Sequence, residues 1–190
     1  MPRTNEANAL LKEERRQEIL LAALALFSTN GFEATKIGDI AAEAGVSHGL
    51  IYHYFTSKEE ILGELVQQAC ASTIEFIQTA AALPFSAAEK LETIIAELLS
   101  RLNTPKQPQY SCMLMLNAIR GGDSTASLPA ILLQYIIAEG QQEGVLLNGD
   151  PGAYAYMLFA VLLGLSQYKT KLKNFSLPAA AMVLNLIKAR

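Results

Sequence analysis

Cysteine is scarce in this sequence of 190 residues: only Cys70 and Cys112 occur, outside any CxxC pair or Cys/His zinc spacing. That argues against a disulfide framework and against a structural zinc site. Charge is scarce as well, at 17% of residues, with 15 basic against 18 acidic side chains and a net charge of −3. The whole chain therefore carries no global sign of a polyanion partner. Both histidines, His48 and His53, fall in the first third, so residues 66–190 hold none for a triad or a proton relay. An enzyme is not expected, and no motif implies a cofactor or a metal. The opening MPRTNEANALLKEERR is too polar for a signal peptide, which leaves a cytoplasmic protein as the expectation. Residues 151–168 carry no charge, but Pro151, Gly152, Ser166 and Gln167 trim the apolar run to 153–165. A membrane span needs about 20 such residues, so a buried or interface helix is expected and no membrane partner. Alternating apolar and polar residues, the mark of a strand, are missing at any useful length.

What remains is helical. Ile19, Leu20, Ala23, Leu24 and Phe27 share one face of a helix expected over 13–29, which Asn30-Gly31 stops. Thr35 is the expected cap of a short second helix, and Ser47 that of a short third. Ser57-Lys-Glu-Glu60 and Ser86-Ala-Ala-Glu89 read as capping boxes opening two long helices. A loop is expected over 103–109, a helix over about 110–120, another loop over 121–127 and a helix over about 128–142. Asp150-Pro151 joins an N-cap to a proline at the first helical position, and Ser176 is the expected cap of a last helix to about Ile187. The fold class is all-α with about nine helices. Short helices precede residue 57 and long ones follow, so an N-terminal module over 1–56 and a larger bundle over 57–190 are expected.

The two short helices joined by Ala44-Gly45-Val46 have the length and turn chemistry of a helix-turn-helix. Ile51 and Phe55 are four apart and should face inward, which turns His48, Gly49, Tyr52 and His53 outward. Imidazoles, a phenol and bare backbone are donors for phosphates and base edges. The competing reading makes these rings a polar face partly buried on the next helix. Charge does not decide between them. Residues 1–65 hold six basic and ten acidic residues, net −4, yet residues 44–58 contain no acid.

The stretch FSTNGFEATKIGDIAAEAGVSHGLIYHYFTSKEEIL closely resembles the N-terminal signature of the tetracycline-repressor (TetR) family of transcriptional regulators. Gly31-Phe32, Thr35, Ile40-Ala41, Gly45-Val46-Ser47, Gly49, Ile51-Tyr52, Tyr54-Phe55 and Ser57-Lys58-Glu59 carry the likeness, which spans roughly residues 12–65. The resemblance implies a recognition helix in a major groove of an operator. Leu50 and His53 would then face bases, while Tyr52, Tyr54, Lys58 and Lys36 would hold phosphates. Gly49 would let the backbone come close. Two positions depart from the family: Gly38 stands where many members have a basic residue, which puts base reading from the second helix in question, and His48, itself an implied DNA contact, stands where a lysine is frequent.

In the bundle, the resemblance implies a site for a small-molecule effector and a pair of final helices that join two copies. An apolar or aromatic effector suits the composition. The candidate wall is Phe76, Tyr110, Cys112, Met113, Met115, Tyr135 and Phe159, each of which also fits an ordinary core position. Glu75, Glu97 and Glu139 are the carboxylates available to a cationic effector. The helices around AYMLFAVLLGL and PAAAMVLNLI are apolar round most of their circumference, more than one core-facing stripe requires. Leu158, Leu162, Leu165, Met182, Leu184 and Asn185 are the candidate homodimer contacts. The expected function is a ligand-responsive DNA-binding regulator, most simply a repressor. The rival is a helical small-molecule-binding protein without DNA-binding activity.

Overall fold

The computed structural model describes residues 5–103, 128–172 and 174–189. Eight helices lie among them: α1 Asn5–Thr29, α2 Ile37–Glu43, α3 His48–Ile51, α4 Lys58–Ala81, α5 Ala87–Asn103, α6 Leu128–Gln142, α7 Pro151–Lys171 and α8 Ala180–Leu184. The helix expected over 110–120 lies outside the described residues. One isolated antiparallel bridge, between Leu146 and Lys188, accompanies them, so the fold is all-α.

The chain forms two compact units, Met1–Leu65 and Val66–Arg190. The boundary falls inside α4, past the expected break at residue 56. Physically, the opening turns of α4 belong to the first unit because Ile61 and Leu65 are buried and Glu64 forms an ion pair with Arg16 of α1.

In the first unit, Ile19, Leu20, Phe27, Ile40, Ile51 and Phe55 are all almost wholly buried. The α1 helix begins well before Glu13. Its added turns hold Glu6, Ala7, Ala9 and Lys12, strong helix formers, and keep Leu10 and Leu11 exposed, so no apolar stripe announces them. Gly31 ends α1 and Gly45 separates α2 from α3, at φ 85° and 65°, a region that suits glycine. Thr35 is not the cap of α2. Its hydroxyl is buried and donates to the Gly31 carbonyl at 2.8 Å, and the Lys36 N–H instead donates to the Asp39 carboxylate at 3.0 Å.

The second unit packs α6 along α7 and sets α5 against α6 and α8. Its core runs through Leu91, Ile94, Leu133, Ile137, Leu158, Leu162 and Leu184. Gly140 makes that packing possible, because a Cβ there would lie 2.6 Å from the Leu146 side chain. Asp150 caps α7 as expected, accepting from the Gly152 N–H at 2.9 Å. Ser176 caps nothing, and the last helix starts later, at Ala180. Pro178 disfavours helical backbone at Leu177, so the chain stays irregular until it is passed. The helix also stops short of Ile187, whose carbonyl accepts from Leu147 at 2.8 Å in the bridge.

Candidate nucleic-acid interface

Ser47 starts α3: its hydroxyl accepts from the Leu50 N–H at 3.2 Å, satisfying one orphan donor of the first turn. That fixes the phase of the helix. Ile51 and Phe55 then point inward and His48, Gly49, Tyr52 and His53 are exposed, while Leu50 and Tyr54 are half-buried. A Cβ added at Gly49 would meet nothing within 4 Å, so no neighbour within the chain demands a glycine there. The His48 ring meets Tyr52 edge-on, with centroids 5.4 Å apart at 66°. Its other side approaches Gly38 of α2, where an added Cβ would sit 3.7 Å from His48 Cδ2. Lys36 is exposed at the N-cap of α2.

Two contacts hold the platform beneath. The Arg16 guanidinium lies 4.8 Å from the Phe55 ring centroid while it pairs with Glu64. Lys58 is committed more deeply than the sequence suggests. Its ammonium donates to the carbonyls of Phe32 at 2.8 Å and Thr35 at 3.1 Å, and sits 4.3 Å over the Phe32 ring. An ammonium has three donors, so one remains for a phosphate. Both partners are more than 20 residues away, and only the Gly31-Phe32 and Thr35 positions of the signature hinted at them.

The start of α4 is capped by two residues. Ser57 Oγ accepts from the Glu60 N–H at 3.2 Å, whereas the Glu60 carboxylate accepts from the hydroxyl of Thr56, at 2.7 Å, and from its N–H. The Thr56 hydroxyl, then its N–H, hold the Glu60 carboxyl below the usual carboxylate range. Glu59 is also lowered, first by its own backbone N–H, then by the Ser57 hydroxyl and the Lys58 charge. The helix N-terminus is thus already occupied by the chain's own carboxylates.

The second unit redistributes the remaining candidates. Phe76 and Phe159 are half-buried against its core, and Arg101 lies 5.6 Å from the Phe76 ring centroid. Tyr135 is 66% exposed, on the outward face of α6, and does not line an interior wall. Tyr110, Cys112, Met113 and Met115 lie outside the described residues. Glu97 and Glu139 are paired, with Arg101 at 2.9 Å and Lys90 at 2.8 Å. Among the interface candidates, Leu158, Leu162 and Leu184 are buried within the single chain and Leu165 is half-buried against the same core, whereas Met182 and Asn185 are exposed. The buried leucines are core, not a face open to a second copy. The outward apolar residues of α7 are instead Ala153, Tyr156, Met157 and Ala160, at helical spacing, with Leu186 exposed after α8. Among the described residues no His/Cys/Asp/Glu group suits a metal ion, and no helix is long and apolar enough to cross a membrane.

Comparison with known proteins bears on the first unit and on the fold separately. Residues 19–65 match the model for bacterial regulatory proteins of the tetR family. The transcriptional regulator HbdR of Aromatoleum sp. (strain CIB) is 56% identical over 52 residues, 27% of this chain and 23% of that protein. The transcriptional repressor KstR2 of Mycobacterium tuberculosis is 47% identical over 53 residues, 28% of this chain and 26% of that protein. The chain thus matches about a quarter of the length of these curated relatives. The SmeT–triclosan complex, SmeT being the repressor of a Stenotrophomonas maltophilia multidrug efflux pump, shares the fold at a TM-score of 0.72 and 21% identity. That likeness covers 93% of this chain and 92% of SmeT. The first unit is thus similar in sequence to the matched segment of bacterial regulatory proteins of the tetR family, and the chain as a whole shares the fold of SmeT.

Proposed function

We propose that the protein is a cytoplasmic transcriptional repressor that grips a pseudo-palindromic operator as a homodimer and releases it when a small apolar or aromatic molecule binds. One observation carries the reading. The α3 helix keeps Ile51 inside and leaves His48, Gly49, Tyr52 and His53 in solvent, with open space before the Gly49 backbone. Packing would have buried these rings, whereas a major groove offers phosphates and base edges to such a face. His53 and Leu50 read base edges. Tyr52, Tyr54, Lys36 and the remaining N–H of Lys58 hold phosphates.

Two further observations support the rest. The exposed residues Tyr156, Met157, Met182 and Leu186 offer an apolar surface to a second copy, which would bring two recognition helices to one site. Repression and release by a small molecule rest on kinship. KstR2 is a repressor by name, SmeT is seen with triclosan, and a like-folded regulator from Saccharomonospora viridis with choline.

The rival, a small-molecule-binding protein without DNA-binding activity, draws on the net −4 of residues 1–65. Footprinting on the DNA flanking the protein's own gene separates the two. The expected result is two protected half-sites about 34–36 Å, or a multiple, apart. Few cations face the groove, so log K should fall only shallowly with log salt. An effector that weakens operator binding must be weakened by operator to the same factor. A chain that protects no DNA is the rival.

A further inference from the structure

We propose that His48 acts as a positioning residue for Tyr52, holding the phenol ready for its phosphate, and is not itself a groove contact; this rests on the DNA-binding reading above. Tyr52 is 51% exposed, and among the described residues no hydrogen bond fixes its hydroxyl. A ring so placed samples several rotamers in water and loses that freedom when it grips a phosphate. The structure supplies one restraint on it. His48 lies one turn earlier on the same face, and its ring meets the phenol edge-on at 5.4 Å, within the range favoured by aromatic pairs.

His48 is itself flanked by α2. A Cβ added at Gly38 would sit 3.7 Å from its Cδ2, an ordinary contact distance. A side chain at position 38 would therefore meet the imidazole from its first carbon onward. The two departures from the family pattern, Gly38 and His48, are thus neighbours in space as well as in the motif.

The test uses the full chain and the operator found by footprinting. His48→Ala should weaken operator binding by roughly two- to tenfold per half-site, the loss of one aromatic pair. His48→Phe, which keeps an edge-on ring and discards the imidazole nitrogens, should restore most of it. In a Tyr52→Phe background, His48→Ala should cost little, because no hydroxyl remains to be positioned. In the DNA-free protein, the Tyr52 ring resonances should move in His48→Ala and in Gly38→Leu, which crowds the imidazole. If His48→Phe binds as weakly as His48→Ala, or the losses add in the double variant, His48 touches DNA directly and the proposal falls. Unmoved Tyr52 resonances overturn it equally. A wild-type protein that protects no DNA overturns the functional reading, whatever the ring resonances show.

Discussion

The two units solve opposite problems with the same material. In the first, short helices have few inward positions, and Ile40, Ile51 and Phe55 fill them almost completely. Whatever is polar, aromatic or bare on α3 must then face out, so its surface chemistry is an index of function. In the second unit the helices are apolar on nearly every side, and burial alone does not select a functional face. There the informative residues are the apolar ones left uncovered, such as Tyr156, Met157 and Met182. Function is written in polar residues that stay outside in one unit, and in apolar residues that fail to get inside in the other.

The largest effect should come from breaking that distinction in the second unit. Leu162 is 3% exposed and Met182 64%. A carboxylate introduced at Leu162 is buried without a partner and should cost on the order of 4–5 kcal/mol or more, unfolding the unit. Met182→Glu stays in water and should melt within a few degrees of wild type while lowering the mass seen by light scattering. If Leu162→Glu instead gives a well-folded monomer, Leu162 belongs to the interface after all.

Phe55→Ala probes the same rule in the first unit. It removes a ring that is 1% exposed and that also supports the Arg16 guanidinium. A loss of about 3–5 kcal/mol is expected in denaturant unfolding, with DNA binding lost only as far as folding is lost.

These contrasts also show what sequence could and could not supply. Caps set by neighbours within a few residues were legible: Ser47 on Leu50, Ser86 with Glu89, Asp150 on Gly152. The inward pair Ile51 and Phe55 followed from spacing, and with it the outward set on α3. Thr35 misled because its hydroxyl turned inward to Gly31, and Ser176 because Pro178 lay between it and any helix. For Lys58 the sequence suggests a phosphate ligand but not its two carbonyl partners, because they are distant in the chain. Leu158, Leu162 and Leu184 were sorted to the wrong face because a helix apolar all round offers no phase from which to tell core from contact.

Smaller effects should separate the outward residues of α3 from one another. His53→Ala should change which bases are preferred, by about 1–3 kcal/mol of discrimination between operator variants. Tyr52→Phe should cost about 1 kcal/mol per half-site regardless of sequence, since a phosphate looks the same everywhere. Both should melt like wild type, because neither side chain is buried. Binding titrations against a panel of single-base operator variants check the first, and the unmutated operator the second. Wild-type binding combined with lower melting in both would return the cluster to packing.

The smallest effect compares the units through their carboxylates. Glu59 and Glu60 at the start of α4, and Glu89 at the start of α5, all have carboxyls held below the usual 4.5. For Glu89 the Ser86 hydroxyl is the main cause, followed by the Ser86 N–H. A carboxylate whose pKa is lower in the folded chain stabilises the fold above the unfolded value. That contribution is lost as pH falls from there through the lowered folded value, so the window lies below 4.5. All three groups are solvent-exposed, and screening keeps each contribution small. Two of them brace the first unit and one the second, so acid below that value should loosen the start of α4 more than that of α5. Amide hydrogen exchange followed from pH 6 downward, corrected for the intrinsic rate, should show that order. Glu60→Gln should flatten the response at α4 and leave α5 as it was; equal loosening of both starts in wild type would show that the caps do not set the acid limit.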